Sequence, residues 1–224
     1  MTSVAVLTAV DLEARSLARH LGLAPVGGGA WPHFRSGALE IIAVGLGAAC
    51  LDERLHTMTP PAVVVSAGAC GALAPTLRTG DPVVPEMVLT EDGARYPTDA
   101  LPGLERSGTM LSARALAATP AVKARLWMQT GALAVDMESA AIVAWARARG
   151  LPVAVVRAVS DTAQQSVPAD LAALVEPGGR VRTVSALRAA LRRPRLVPDA
   201  LTLGRGTAAA MKSVAAALAK VTRA

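Results

Sequence analysis

Three acids in this chain stand where an apolar run ends, and a carboxyl so placed can move a proton or grip a sugar. Glu13 closes the segment Thr8-Ala9-Val10-Asp11-Leu12-Glu13. Glu138 lies in Ala134-Val135-Asp136-Met137-Glu138-Ser139. Asp161 ends Val156-Arg157-Ala158-Val159-Ser160-Asp161. Each has a plainer reading as well. Glu13 and Glu138 suit the first turn of a helix, where negative charge is favoured, and Asp161 suits an N-cap. A fourth segment, Gly68-Ala69-Cys70-Gly71-Ala72, follows the apolar run Ala62–Val65 and precedes Leu77-Arg78-Thr79-Gly80-Asp81. It reads as a Gly-rich turn whose backbone N–H groups face a ligand, or simply as a tight bend. Glu138 on a sugar would accept two hydrogen bonds from a vicinal diol, such as the 2′ and 3′ hydroxyls of ribose.

Elements that could position these groups are visible in the pattern. Apolar, β-branched runs at Ser3–Leu7, Leu39–Val44, Ala62–Val65, Pro82–Val88 and Pro152–Val159 suit strands buried on both faces. Segments of helical period lie between them at Asp11–Leu21, Ala48–Met58, Pro120–Gln129 and Glu138–Arg149. In the last of these, Met137, Ala141, Ala144 and Ala148 are expected to face the core. The alternation predicts an α/β domain with a largely parallel sheet. Thr90–Gly108 is irregular and reads as a long loop, often a functional feature. A domain over 1–179 is expected, with a basic helical extension over 180–224. In that extension Val197, Leu201, Gly204, Ala208, Met211, Ala215 and Leu218 form one stripe, with Arg205, Lys212 and Lys220 off it. Such a stripe packs on the domain or faces a membrane surface.

Composition narrows the function further. One Phe, one Tyr and three Trp are too few for base-stacking platforms, which argues against a single-strand nucleic-acid binder. The net charge of +6 is uneven: from Arg180 onward ten Lys or Arg face one acid, Asp199. A neutral-to-acidic body with a basic tail is not a nucleic-acid protein by default. The first apolar run is too short for a signal-peptide core, no run reaches the length of a spanning helix, and a cytoplasmic protein is expected. Cys50 and Cys70 are expected to be reduced thiols. Scattered histidines and the lack of metal-like spacing predict no metal site. No G-x-G-x-x-G opens the chain, which argues against a dinucleotide or flavin protein.

Together and in this order, these segments resemble the nucleoside phosphorylase and nucleosidase superfamily. The resemblance runs from Val4 to about Ala163 and rests most on Val135-Asp136-Met137-Glu138 and Ser160-Asp161. The run Gly131–Ser139, Thr119-Pro120 with Lys123, and the tail Leu191-Arg-Arg-Pro194 before a basic helix look especially like the hopanoid-associated phosphorylases. That resemblance implies a three-layer fold: a central, mostly parallel, partly barrel-like mixed sheet flanked by helices. It implies cleavage of a purine N-glycoside, with Asp161 as the acid that protonates the base and Ser160 steadying it. Met137 would pack on the sugar, Glu138 bind its hydroxyls, and Val135 and the backbone at Gly68 and Ala69 line the site. Burial is expected to keep Asp161 able to donate.

Glu13 matches the acid that activates water in the hydrolytic members. Phosphorolytic members bring arginines to phosphate, but Ser66 stands where an arginine is expected, Ala69 replaces a hydroxyl residue, and Gly45-Leu46-Gly47-Ala48 replaces a Gly-Lys loop. Hydrolysis is therefore favoured, with no cofactor, and inorganic phosphate as co-substrate in the other case. The hopanoid branch implies adenosylhopane as substrate, contact with the inner membrane face through the basic tail, and an apolar 5′ wall for which Val10, Trp31 and the Thr90–Gly108 loop are the expected residues. Methylthioadenosine, adenosylhomocysteine and futalosine are the soluble alternatives. A homodimer is implied. The contrasting class is a non-catalytic nucleoside-binding or membrane-docking protein.

Overall fold

The computed structural model describes residues 3–56, 58–168, 176, 178–180 and 196–221. In chain order the elements are β1 (Val4–Thr8), α1 (Asp11–Leu21), β2 (Ala24–Pro25), β3 (His33–Ser36), β4 (Leu39–Ala43), a 3-10 turn at Leu46–Ala48, α2 (Leu51–Leu55) and β5 (Val63–Ala72). They continue with β6 (Pro82–Val83), β7 (Met87–Thr90), β8 (Arg95–Pro97), β9 (Thr109–Ser112), α3 (Pro120–Thr130), β10 (Ala134–Asp136), α4 (Ser139–Arg147), β11 (Val153–Asp161) and α5 (Leu196–Val221).

The expected α/β architecture is present, as one mixed sheet between helical layers. Its long pairings are parallel: β1 with β4, β1 with β5, and β5 with β11. Antiparallel hairpins, β3 with β4 and β7 with β8, lie toward its ends. The sheet runs β2-β3-β4-β1-β5-β10-β9-β7-β8, with β11 and β6 branching from β5, and it does not close. On one face α1 and α5 cover Val6, Ile41, Val65 and Val156; on the other, α2 and α4 cover Leu7, Ile42, Val64 and Val155. Alternate residues of one strand thus enter different cores, so these strands read as continuous apolar runs.

β5 departs most from the sequence reading. Gly68–Ala72 is not a turn after a short strand; it is the second half of a ten-residue strand. β11 accompanies β5 from Val64 to Gly71 on one edge. Along the other edge β1 pairs with Val63–Ser66, and β10 takes over at Gly71–Ala72. Between Ser66 and Gly71 that edge carries no strand, and this gap becomes the centre of the site.

Other expectations shift in detail. Pro82–Val88 splits into β6 and the start of β7, and Ala48–Met58 is helical only over Leu51–Leu55. The supposed loop after Thr90 holds β8, hairpinned to β7. In α4 the core takes Ser139, Ile142, Val143 and Ala146, whereas Ala141 and Ala148 face solvent. The alanines carry little apolar surface, so the bulkier Ile142 and Val143 set the helix's rotation.

α5 shows the same slip of phase. Met211, Ala215 and Leu218 are buried as expected, but Leu201, Gly204 and Ala208 are exposed and the inward set includes Gly206, Ala210, Val214 and Ala217. The side chain of Val197 and the segment Leu191–Pro194 lie outside the described residues. Arg205, Lys212 and Lys220 are exposed. Gly206 explains the rotation: a Cβ there would stand 2.0 Å from the Ser160 carbonyl oxygen. Only glycine lets the helix backbone rest on β11. Gly206→Ala is expected to destabilise the fold by about 1–3 kcal/mol, the usual result of overpacking, read as a lower thermal midpoint. An unchanged midpoint would show that α5 can back away freely.

Candidate active site

Glu13 is the third residue of α1, a position from which a carboxylate can reach back to the helix's own unsatisfied N–H groups. Its Oε2 accepts from the backbone N–H of Ala9 at 3.1 Å and of Val10 at 3.3 Å. Its Oε1 crosses to the gap in β5 and accepts from Ala69 N at 2.8 Å. Glu13 is buried, and burial pushes its pKa above the ordinary range; Arg157 and the three backbone donors pull the other way without cancelling it. A carboxylate held up in this way can take a proton from water. The Ala69 N–H, expected to face a ligand, is used by Glu13 instead.

Arg157 lies in the middle of β11 and is wholly buried. Its Nη2 lies 2.7 Å from Asp136 Oδ2, 3.8 Å from Glu138 Oε2, and donates to Ser66 Oγ at 2.9 Å. Burial alone would disfavour its charge, but Asp136, Glu138 and Glu13 outweigh this and raise its pKa. Asp136 also begins α4: its Oδ2 accepts from Ser139 N at 3.1 Å and Ser139 Oγ at 2.5 Å. Glu138, the residue before α4, is thereby freed from capping. Its Oε1 accepts from Gly47 N at 3.0 Å. Burial, and then the charge of Asp136, push Glu138 up to about 7 against the opposing pull of Arg157 and the Gly47 N–H.

Asp161 ends β11 just after a bulge, where the register with β5 jumps from Val159–Cys70 to Asp161–Gly71. The extra residue is Ser160, as bulges re-aim side chains beside sites. Ser160 Oγ lies 2.6 Å from Asp161 Oδ1 and 3.2 Å from the Cys70 carbonyl oxygen. Residues 162–168, directly after Asp161, are turn and irregular backbone, so Asp161 caps no helix there. Its Oδ2 instead meets Lys123 Nζ at 2.5 Å. Burial was expected to hold Asp161 as an isolated acid; the structure gives it a buried cation.

Gly68 joins the two sides. Its φ is +155°, and a Cβ there would stand 2.6 Å from Arg157 Nη1 and 2.7 Å from Glu13 Oε1. The residue is glycine because two side chains close on its α-carbon, not because the chain turns. Asp161, Gly71, Val135, Asp136, Met137 and Leu116 line one hollow. A second, of about 320 Å³, shares Met137 and is bounded by Gly47, Thr90, Glu91, Asp92 and Arg114. Thus Glu13, Gly68, Ala69, Val135, Met137, Glu138, Ser160 and Asp161 all gather around the second half of β5. Of the expected 5′ wall, Thr90–Asp92 line the larger hollow, whereas Val10 and Trp31 do not, and the rim is charged. The sequence reading assigned no role to Arg157, Lys123, Asp136 or Ser139, although all four stand in the quoted segments. Among the described residues no cluster of His, Cys, Asp and Glu is placed to hold a metal, and no helix is long and apolar enough to cross a membrane.

A family model, the Phosphorylase superfamily, matches residues 104–190. No curated protein matches the chain. Among solved structures, the chain is similar to the 5′-methylthioadenosine/S-adenosylhomocysteine nucleosidase of Neisseria meningitidis in complex with methylthio-immucillin-A. That likeness has a TM-score of 0.71 at 16% identity and covers 100% of this chain and 99% of that one. The S-adenosylhomocysteine nucleosidase of Streptococcus pyogenes, in complex with 5-methylthiotubericidin, gives 0.69 at 19% identity over 99% and 96%. The futalosine hydrolase of Helicobacter pylori gives 0.67 at 15% identity over 99% and 97%. The chain therefore has the fold of these nucleosidases, and residues 104–190 match the Phosphorylase superfamily model.

Proposed function

We propose that this protein hydrolyses the N-glycosidic bond of a purine nucleoside. The observation that carries the reading is convergence: Asp161 and Glu13, distant in sequence, meet around Gly68–Gly71 of one strand, and Glu138 joins them through Arg157. The base occupies the slot beside Val135 and Leu116 with its N7 toward Asp161. Met137 packs on the ribose and Glu138 holds its hydroxyls. Glu13 takes a proton from the water that attacks C1′, and Asp161 delivers one to the departing base. Each half removes charge that would otherwise build up in the transition state.

Water suits this site better than phosphate. The one buried guanidinium near the sugar side, Arg157, already faces Asp136, Glu138 and Glu13. Among the described residues, a phosphate dianion brought among these carboxyls would find no free cation, and burying such a charge unpaired is costly. Purine release is expected to proceed at the same rate with and without inorganic phosphate. A rate that depends on phosphate, with ribose 1-phosphate as product, would overturn the hydrolytic assignment.

For the 5′ substituent two readings have support. The resemblance to the hopanoid-associated branch and the exposed Arg205, Lys212 and Lys220 of α5 favour adenosylhopane reached at an anionic membrane surface, with 180–224 as a basic extension. The charged rim of Glu91, Asp92 and Arg114 around the larger hollow favours a small, soluble substituent, as in methylthioadenosine, adenosylhomocysteine or futalosine. Base release from each nucleoside, with adenosylhopane offered in anionic vesicles, separates the two. We take the acting form to be a homodimer.

A further inference from the structure

We propose that Lys123 supplies, through Asp161, the proton that leaves with the base; the inference rests on the N-glycosidase reading above. Lys123 lies on α3, which starts at the Thr119 cap and Pro120, yet its side chain points away from solvent and is wholly buried. Nζ lies 2.5 Å from Asp161 Oδ2, 2.7 Å from the Thr162 carbonyl oxygen and 2.9 Å from the Gln165 carbonyl oxygen. Three acceptors engage three N–H bonds, which only the ammonium possesses. The turn that presents those carbonyls is itself fastened, Thr162 N donating to Gln165 Oε1 at 2.8 Å.

Asp161 at rest is thus the carboxylate of an ion pair, and a carboxylate has no proton to give. Its other oxygen, Oδ1, is held by the Ser160 hydroxyl at 2.6 Å. Lys123 Nζ–H is the proton source at hand. Oδ2 also borders the base slot, since a Cβ on Gly71 would stand 3.0 Å from it. The other ionisable side chain lining that slot is Asp136, whose Oδ2 pairs with Arg157.

In the step, an Nζ–H bond breaks as an O–H bond forms on Oδ2, leaving an amine and a carboxylic acid. Burial penalises the two charges that this exchange removes. The proton then passes from Oδ2 to the base as the C1′–N bond breaks, its electron pair leaving on the base. Hydroxide from water joins C1′ and its proton goes to Glu13. Solvent returns that proton to Lys123, so the cycle closes with no other reactant. Lys123 touches no substrate; it acts through Asp161 as a positioning and proton-supplying residue.

The test compares wild type and Lys123→Met on two nucleosides: one that the wild type cleaves, and its N7-methylated form, whose base departs without needing a proton. The ordinary nucleoside is expected to be cleaved about 10²–10⁴-fold more slowly by the variant, and the methylated one less than about tenfold more slowly. Turnover of the methylated form also shows that the variant is folded. Equal slowing on both, or on neither, overturns the proposal. If Lys123→Met does not fold, the wild type decides. Its kcat on the ordinary nucleoside should carry a larger solvent deuterium isotope effect than its kcat on the methylated one; equal effects overturn it. A wild type inert on every purine nucleoside instead removes the N-glycosidase reading, and this one with it.

Discussion

Glu13→Gln is expected to lower kcat for purine release by about 10²–10⁴-fold, the usual contribution of a positioned general base, while the chain stays folded. The amide oxygen can keep the two bonds from Ala9 and Val10. Its NH₂ then confronts the Ala69 N–H, at a cost of about 1–3 kcal/mol for an unsatisfied donor, partly offset because no charge is buried. Product release and a thermal midpoint measured on one preparation check both halves. A variant with wild-type kcat would remove Glu13 from the mechanism. The same acids set a pH dependence. Glu13 is raised by burial, Glu138 to about 7 by burial and Asp136, and both must be ionised to act. The wild-type kcat/KM should therefore fall on acidification through about pH 7. Stability should run the other way. An acid whose folded pKa is raised contributes fully below its unfolded value, and that contribution is lost as pH rises through the folded one. For Glu138 the window runs from its ordinary 4.5 to about 7.

The largest effect on folding is expected at Arg157. Arg157→Met removes the cation 2.7 Å from Asp136 and leaves that buried carboxylate unpaired, with Glu138 and Glu13 close by. Breaking a buried pair from one side costs about 3–5 kcal/mol, enough to unfold a marginal domain. Asp136 Oδ1 has no hydrogen-bond partner among the described residues, so nothing there absorbs the loss. Adding Asp136→Asn should restore part of the stability, because neighbours in one network are not additive. Denaturant midpoints for the single and double variants measure this. A loss below about 1 kcal/mol for Arg157→Met, typical of an exposed pair, would show that the network is not the folding element inferred.

Local signals made the fold and half of the site legible. Val153–Val159 reads as a buried strand because all of its side chains but that of Arg157 meet a core, and Glu138 and Asp161 stand out only in combination, since each alone equally suits a helix's first turn or an N-cap. Arg157 and Lys123 were hidden for the opposite reason. Each sits in an ordinary strand or helix pattern, and the partners that make its burial tolerable, Asp136 for one and Asp161 for the other, lie far away in sequence. Hydropathy records the cost of a buried charge and not the partner that offsets it. Glycine misled in a related way. At Gly68–Gly71 it was read as bending the chain, whereas it gives room to side chains arriving from α1 and β11. In α4 and α5 the alanine-rich sequence left the rotation of the helix open, and a few bulky residues and Gly206 fixed it.

The continuity of β5 has a geometric consequence. A strand is a stiff ruler with about 3.3 Å per division. The water-side acid hangs from the division at Ala69 and the proton-giving acid faces the one at Gly71. Two divisions, roughly 7 Å of backbone, therefore stand between them, and no loop movement can lengthen or shorten that interval. Whatever chemical group trails from the far end of the sugar, the bond to be cut is always measured against the same two marks.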